Sequence, residues 1–466
     1  MTAPAARSWA DAATLPFWLD RDDAPQTAEP LAGDAEADLA IVGGGYTGLW
    51  AAIQAKELDP GREVLLLEQD TVAFGASGRN GGFCDGSLTH GLRNGVERFP
   101  EEIQKIEQLA AENFAGIYDT IHRHGIECDW TPTGTMAVAV EPYQVEQLRR
   151  AEELYRSFRQ PVRFLNGEEV RAEVDSPTYH AGLWRLDRDA LVDPVRLAWG
   201  LRRVALELGV RIHERTRATG MEPEGDGVAV ATPGGRVHAR RAILATNAFP
   251  PLARSIRRYV IPVYDYVLMT EPLTPAQLDA IGWGNRQGLA DSANRFHYYR
   301  LSADDRILWG GYDAVYHYGN AVAPELEDRP ETFDLLASNF FRTFPQLEGI
   351  RFTHRWAGAI DTCSRFCVMW GTALGGRASY AVGYTGLGVG AARFGARVAL
   401  DLIGGRETEL TKLRFVRSKP TPFPPEPVRY AGIQLTRRAI ARADGREGRR
   451  GPWLKLIDAL GLGFDS

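Results

Sequence analysis

Hydrophobic positions along this chain change their period several times, and each change marks an element. ADLAIVGGG (38–45 with its lead-in alanine) is a short apolar run that ends in glycine, which predicts a buried strand and a tight turn. YTGLWAAIQAKE follows as a helix, and EVLLLE as a second buried strand. The three together form a βαβ unit, the start of a doubly wound parallel sheet. Near residue 193 the start and stop signals of a helix are explicit. Asp193 can cap, Pro194 suits the first turn, Leu197, Leu201, Val204 and Leu208 share one face, and Gly209 ends it. VRIHERT and RAILATNAF then predict two further strands, the second running into a small polar turn.

Two other zones differ in kind. TPTGTMAVAV, AGLWRLD, YVIPVYDYVLMT, FHYYRLS and RILWGGYDA are aromatic-rich strands separated by turn residues, the pattern of a mixed or antiparallel sheet. The expected fold class is α/β with an α+β second domain. A Rossmann-like domain (37–128, 189–256 and 353–412) is interleaved with a domain built on the mixed sheet (129–188 and 257–352). Residues 1–40 hold eight acids and two bases, and residues 1–36 read as an arm wrapped on the surface. Residues 413–466 read as a basic tail, where TPFPPEP is a stiff linker and RYAGIQLTRRAIARA and GPWLKLIDALGLGF carry helical spacing. Three readings of that tail stand: a packed appendage, a membrane-surface element, or a docking element for a partner subunit.

Composition narrows the class without choosing a function. Of 466 residues, 44% are hydrophobic and 24% charged, which excludes a disordered, collagen-like or coiled-coil chain. The balance of 54 basic and 60 acidic residues gives −6, against the basic excess expected of a nucleic-acid binder. The four cysteines, Cys84, Cys128, Cys363 and Cys367, are too few for a disulfide framework and fit a reducing, cytoplasmic setting. The N-terminus lacks the pattern of a secretory signal, and no apolar run is long enough for a membrane span. His122, His124 and Cys128 lack a second ligand pair, so no metal is expected.

The chemistry lies in glycine-rich turns. Gly43-Gly44-Gly45-Tyr46-Thr47-Gly48 fits G-x-G-x-x-G between a strand and a helix, and Glu68 follows Gly48 by twenty residues at the end of the second strand. Gly43 permits the tight turn, Gly45 lets backbone approach a pyrophosphate, and Gly48 lets helix and strand pack closely. Glu68 is placed to accept from ribose hydroxyls. A second run, Phe74-Gly75-Ala76-Ser77-Gly78-Arg79-Asn80-Gly81-Gly82, allows backbone to approach a flat group. A third, Gly383-Tyr384-Thr385-Gly386-Leu387-Gly388, again precedes a helix, whose N-terminus can meet negative charge. Turns over 300 residues apart imply one extended cofactor clasped by distant parts of the chain.

On these three motifs the sequence resembles the D-amino-acid-oxidase-like superfamily of FAD-dependent oxidoreductases. Within it, the chain is similar to the bacterial γ-glutamylputrescine oxidase-like branch, over about residues 37–412. The resemblance implies an FAD domain and a substrate domain. It implies that Gly43, Gly45, Tyr46, Thr47, Gly48, Glu68 and Gln69 bind the ADP half of FAD. Ser77, Arg79, Asn80, Gly81 and Gly82 would follow the isoalloxazine ring. Ala218, where the family usually has valine, would meet adenine, and Ala245, Thr246 and Asn247 would form the turn beside the cofactor. Gly386, Leu387 and Gly388 would face the flavin N1–C2=O edge, where negative charge develops on reduction. The chemistry implied is transfer of hydride from the carbon next to nitrogen to flavin N5, hydrolysis of the imine in water, and reoxidation by O2.

Two departures from the family shape the substrate expectation. The cysteine that carries covalent FAD in sarcosine-oxidase-like members falls near Ala357, with Cys363 out of register, so non-covalent FAD is expected. The basic residue that holds a small substrate's carboxylate in such members falls at Gly390. An extended or γ-glutamylated amine is therefore the expected substrate. His297, Tyr299 and Trp356 are the expected substrate-side residues, chosen from the aromatic strands because aromatic faces suit a protonated amine. Arg300 or Arg365 would supply a more distant charge. The alternatives are a dehydrogenase or oxidase of an N-alkyl or D-amino acid using another electron acceptor, and a non-catalytic flavin-carrying subunit. The oligomeric state is left open.

Overall fold

A computed structural model describes residues 8–462; the first residues of the arm and the last of the tail, 1–7 and 463–466, lie outside the described residues. Strand Ala35–Val42 leads through the glycine turn into helix Tyr46–Leu58 and back into strand Val64–Leu67. Ala35–Val42 pairs in parallel with Val64–Leu67 on one side and with Gly235–Leu244 on the other. The sheet runs in the order Met369–Ala373, Ala378–Val382, Gly235–Leu244, Ala35–Val42, Val64–Leu67, Arg211–His213. Its strands are apolar and buried where they run under the helices, at Leu39–Val42, Val64–Leu67 and Ala242–Leu244, as expected of a parallel sheet covered by helices. One covering helix, Pro194–Glu207, is capped by the Asp193 carboxylate, which accepts from the Val195 and Arg196 amides at 3.0 and 2.9 Å. Leu197, Leu201 and Val204 are buried under it, Leu208 is half-buried, and Gly209 ends it at φ +84°.

The second sheet has the order Val315–Tyr316, Ile261–Thr270, Ile307–Gly311, His297–Leu301, Gly288–Asp291, Thr135–Ala139, Ala181–Arg185, Val162–Leu165. It is antiparallel except where Gly288–Asp291 meets Thr135–Ala139. Helix Pro330–Thr343 covers one face through Phe333, Leu336, Ala337 and Phe340, against Tyr266, Tyr299, Trp309 and Ala357. The other face looks toward the first lobe. One boundary moves from its expected place. Strand Phe352–Thr362 belongs to this sheet, paired antiparallel with Ile261–Thr270 from Ile261↔Thr362 to Thr270↔Phe352. Its closeness in sequence to the late glycine turn suggested the first domain, but the ladder hydrogen bonds are made in the second.

The chain ends do more than decorate the surface. In the arm, Trp9 donates to Asp334 Oδ1 (3.0 Å) and Trp18 donates to the Asn80 carbonyl (3.0 Å), with both rings buried. At the other end Phe415 packs on Trp370 (centroids 5.3 Å) in the first-lobe core. Helix Val428–Asp444 then folds back over the second lobe. Its Asp444 accepts from Asn294 Nδ2 and Arg295 Nε at 2.7 and 3.0 Å, and its Arg437 donates to Asp313 at 2.5 Å. Among the described residues, no helix is long and apolar enough to cross a membrane.

Candidate active site

A cleft of about 2320 Å³ runs between the two sheets. Its lining includes Glu68, Gln69 and Ala218; Gly43, Gly45, Tyr46 and Thr47; Ser77, Arg79, Asn80 and Gly81; Thr246 and Asn247; and Gly386, Leu387 and Gly388. The three glycine turns therefore meet at one cleft. Thr47 Oγ1 donates to the Tyr384 hydroxyl at 2.9 Å and ties the first turn to the last, 337 residues away. Gly43 needs its φ of +114°, and a side chain there would strike the Ala245 carbonyl. Glu68 accepts from the amides of Gly44 (2.6 Å) and Asp70 (3.0 Å), while burial pushes its carboxyl above the usual range. Thr246 Oγ1, buried on the cleft wall, has no hydrogen-bond partner. An orphaned hydroxyl, helix amides without intrahelical partners and the Glu68 carboxylate after the second strand make a donor and acceptor set that fits FAD. At the late turn the Asp361 carboxylate accepts from the Gly383 amide at 2.6 Å, with its carboxyl pushed up to about 7 by burial.

Two of the expected cofactor glycines do not face the cleft. A Cβ at Gly48 would strike the Gly43 carbonyl, so Gly48 serves helix–strand contact alone. A side chain at Gly82 would strike the Val192 carbonyl and Arg300 Nη1, so Gly82 too serves close packing.

The expected substrate-side residues are corrected. His297 and Tyr299 share a strand face, but it is the face under helix Pro330–Thr343. His297 is stacked on Trp309 (4.3 Å) and Tyr312 (4.8 Å), with Nδ1 3.2 Å from the Gly310 carbonyl and Nε2 2.9 Å from Asn339 Nδ2. The Tyr299 hydroxyl is hydrogen-bonded to that of Tyr179 (2.7 Å) and donates to the Asp291 carboxylate (3.1 Å). Trp356 is buried and donates to the Arg79 carbonyl at 2.9 Å, bracing the ring segment from behind. None of the three lines the cleft. Nor do the two distant cations: Arg300 donates to the Val192 carbonyl (2.6 Å), and Arg365 to the Ser418 carbonyl (2.8 Å).

The structure brings Tyr298 and Asp265 to the cleft in their place. Tyr298 is the next residue along and so has the opposite side-chain direction. Asp265, between Tyr264 and Tyr266, is the one carboxylate in an otherwise apolar and aromatic strand; that break in pattern was the available signal. Gln434, Arg437 and Arg450 from the tail close the far end, a placement without local sequence signal. Among the described residues no three His, Cys, Asp or Glu side chains are grouped to hold a metal.

Three glycine turns that meet at one cleft between two lobes fit a flavoprotein oxidoreductase. The family model described as FAD dependent oxidoreductase matches residues 38–402, and the chain belongs to that family. It is 30% identical over 376 residues to gamma-glutamylputrescine oxidoreductase of Escherichia coli, covering 79% of this chain and 84% of that protein. It is 28% identical over 403 residues to the probable oxidoreductase OrdL of Haemophilus influenzae, covering 85% and 89%. Among solved structures, glycine oxidase from Geobacillus kaustophilus shares the fold with a TM-score of 0.65 at 19% identity, covering 82% of this chain and 99% of that one.

Proposed function

We propose that this protein oxidises an amine at the carbon next to nitrogen and prefers an extended, γ-glutamylated or comparable amine to a small amino acid. The observation that carries the reading is at Gly390. A short amino acid needs its carboxylate clamped beside the reacting carbon. Gly390 is packed so closely on the Asp85 backbone that a side chain there would strike the Asp85 carbonyl, so no cation fits at that place. The cleft instead continues past Tyr298 and Asp265 to Gln434 and Arg437, leaving length for a longer molecule. The similarity to gamma-glutamylputrescine oxidoreductase supports the same substrate class.

Bound FAD supplies the hydride acceptor. The protein's part is to hold the pyrophosphate at the Gly45–Thr47 amides, the ribose at Glu68 and the ring along Asn80–Gly81 and Gly386–Gly388, and to exclude bulk water from the cleft. All four cysteines are buried and none lines the cleft, which supports non-covalent FAD. Dioxygen is the proposed acceptor.

A panel of amines with peroxide detection tests this directly. Longer amines are expected to exceed sarcosine and glycine by at least about tenfold in kcat/KM, about 1.4 kcal/mol of transition-state binding. Equal turnover of sarcosine overturns the substrate class. Flavin reduction without peroxide overturns the acceptor, and flavin left on an acid-precipitated pellet overturns its non-covalent binding.

A further inference from the structure

We infer that the carboxylate of Asp265, oriented by the Tyr298 hydroxyl, is the anchor for a protonated nitrogen of the amine substrate. The inference rests on the amine reading above and names the residue that recognises the cation.

Asp265 lies on strand Ile261–Thr270, opposite Gly358 in the ladder, with its side chain toward the cleft. Its neighbours Tyr264 and Tyr266 point the other way, their hydroxyls bonded to the Ala323 and Leu326 carbonyls. The Tyr298 hydroxyl donates to the Asp265 carboxylate. The ring behind that hydroxyl is pinned: a methyl group at Gly81 would sit 2.7 Å from Tyr298 Cε2, and one at Gly310 would sit 2.6 Å from the hydroxyl oxygen. Gly81 belongs to the segment along which the flavin ring is expected, so the pair stands where ring and substrate meet.

Charge then selects the ligand. Asp265 takes part in no salt bridge among the described residues, and the charged group that bears on it is Asp313, itself paired with Arg437. Burial raises its carboxyl to about 6, against the lowering effect of hydrogen bonds from the Tyr298 hydroxyl and from the Tyr266 and Gly311 amides. It is therefore mostly ionised at pH 8, on the wall of the cleft. A carboxylate so placed lacks a counter-ion, and a substrate ammonium supplies one through a charge-assisted hydrogen bond. An anionic ligand group would be repelled at the same point.

The test uses the FAD-loaded enzyme and tert-butylamine, which has no hydrogen on the carbon next to nitrogen and so is bound without being oxidised. Calorimetric titration at pH 8 should show binding to the wild type and at least about tenfold weaker binding to Asp265→Asn, about 1.4 kcal/mol. Affinity in the wild type should fall as pH drops through about 6, where Asp265 takes up a proton. In Tyr298→Phe, loss of the hydrogen bond to the charged form should move that fall to higher pH, a change that a merely structural tyrosine would not produce. If Asp265→Asn does not fold, the Tyr298→Phe profile decides: an unmoved midpoint overturns the inference. Wild-type binding and amine turnover in Asp265→Asn overturn the Asp265 assignment and leave amine oxidation standing. If tert-butylamine does not bind the wild type and no amine reduces its flavin, the amine reading falls, and this inference with it.

Discussion

Burial holds the His297 imidazole neutral and pushes its pKa down to about 3. The unfolded chain takes up a proton there near pH 6.5, which the folded chain does not accept until far lower. The stability that this histidine contributes is thus present above about pH 6.5 and lost as pH falls toward 3. His297→Gln should flatten the acid side of a stability curve measured by denaturant titration; an unchanged acid limb would show that other groups set it. Glu68 poses a different question, because its two oxygens already satisfy the Gly44 and Asp70 amides. Glu68→Ala should leave those donors unpaired and weaken flavin retention by about 1–3 kcal/mol, read as flavin content after gel filtration. Glu68 was legible from its spacing alone, since the turn that uses it is local. His297 was legible as a strand residue but not as to its face. FHYYR carries aromatic or large residues on both sides, so alternation says only that His297 and Tyr298 differ in direction. The choice between them was made by helix Pro330–Thr343, distant in sequence.

Elements whose hydrogen bonds close locally were readable: the βαβ unit, the Asp193-capped helix and the late turn with its helix. Elements whose partner is remote were not. Strand Phe352–Thr362 takes its place from Ile261–Thr270, and nothing in its own pattern names that partner. Helix Val428–Asp444 was readable as a helix, while its position over the cleft depends on Asn294, Arg295 and Asp313. That position gives it a measurable role. Asp444→Ala removes both anchors on the 294–295 loop and should raise KM for long amines two- to fivefold, about 0.5–1 kcal/mol for partly exposed contacts, with kcat little changed. An unaltered KM would mean that the helix lines the cleft without shaping the substrate site.

At the scale of the molecule, the fold class was legible because alternation of period along the chain reports which sheet each segment joins. The cleft was legible only at its cofactor end, where glycine motifs cluster; the substrate end is assembled from segments that meet in space alone. The chain passes between the sheets four times: after Val64–Leu67, after Ala181–Arg185, after Gly235–Leu244 and after Phe352–Thr362. Each passage acts as a strut, and four struts at different places around a joint oppose rotation about any single axis. The two lobes are therefore braced against swinging apart like jaws.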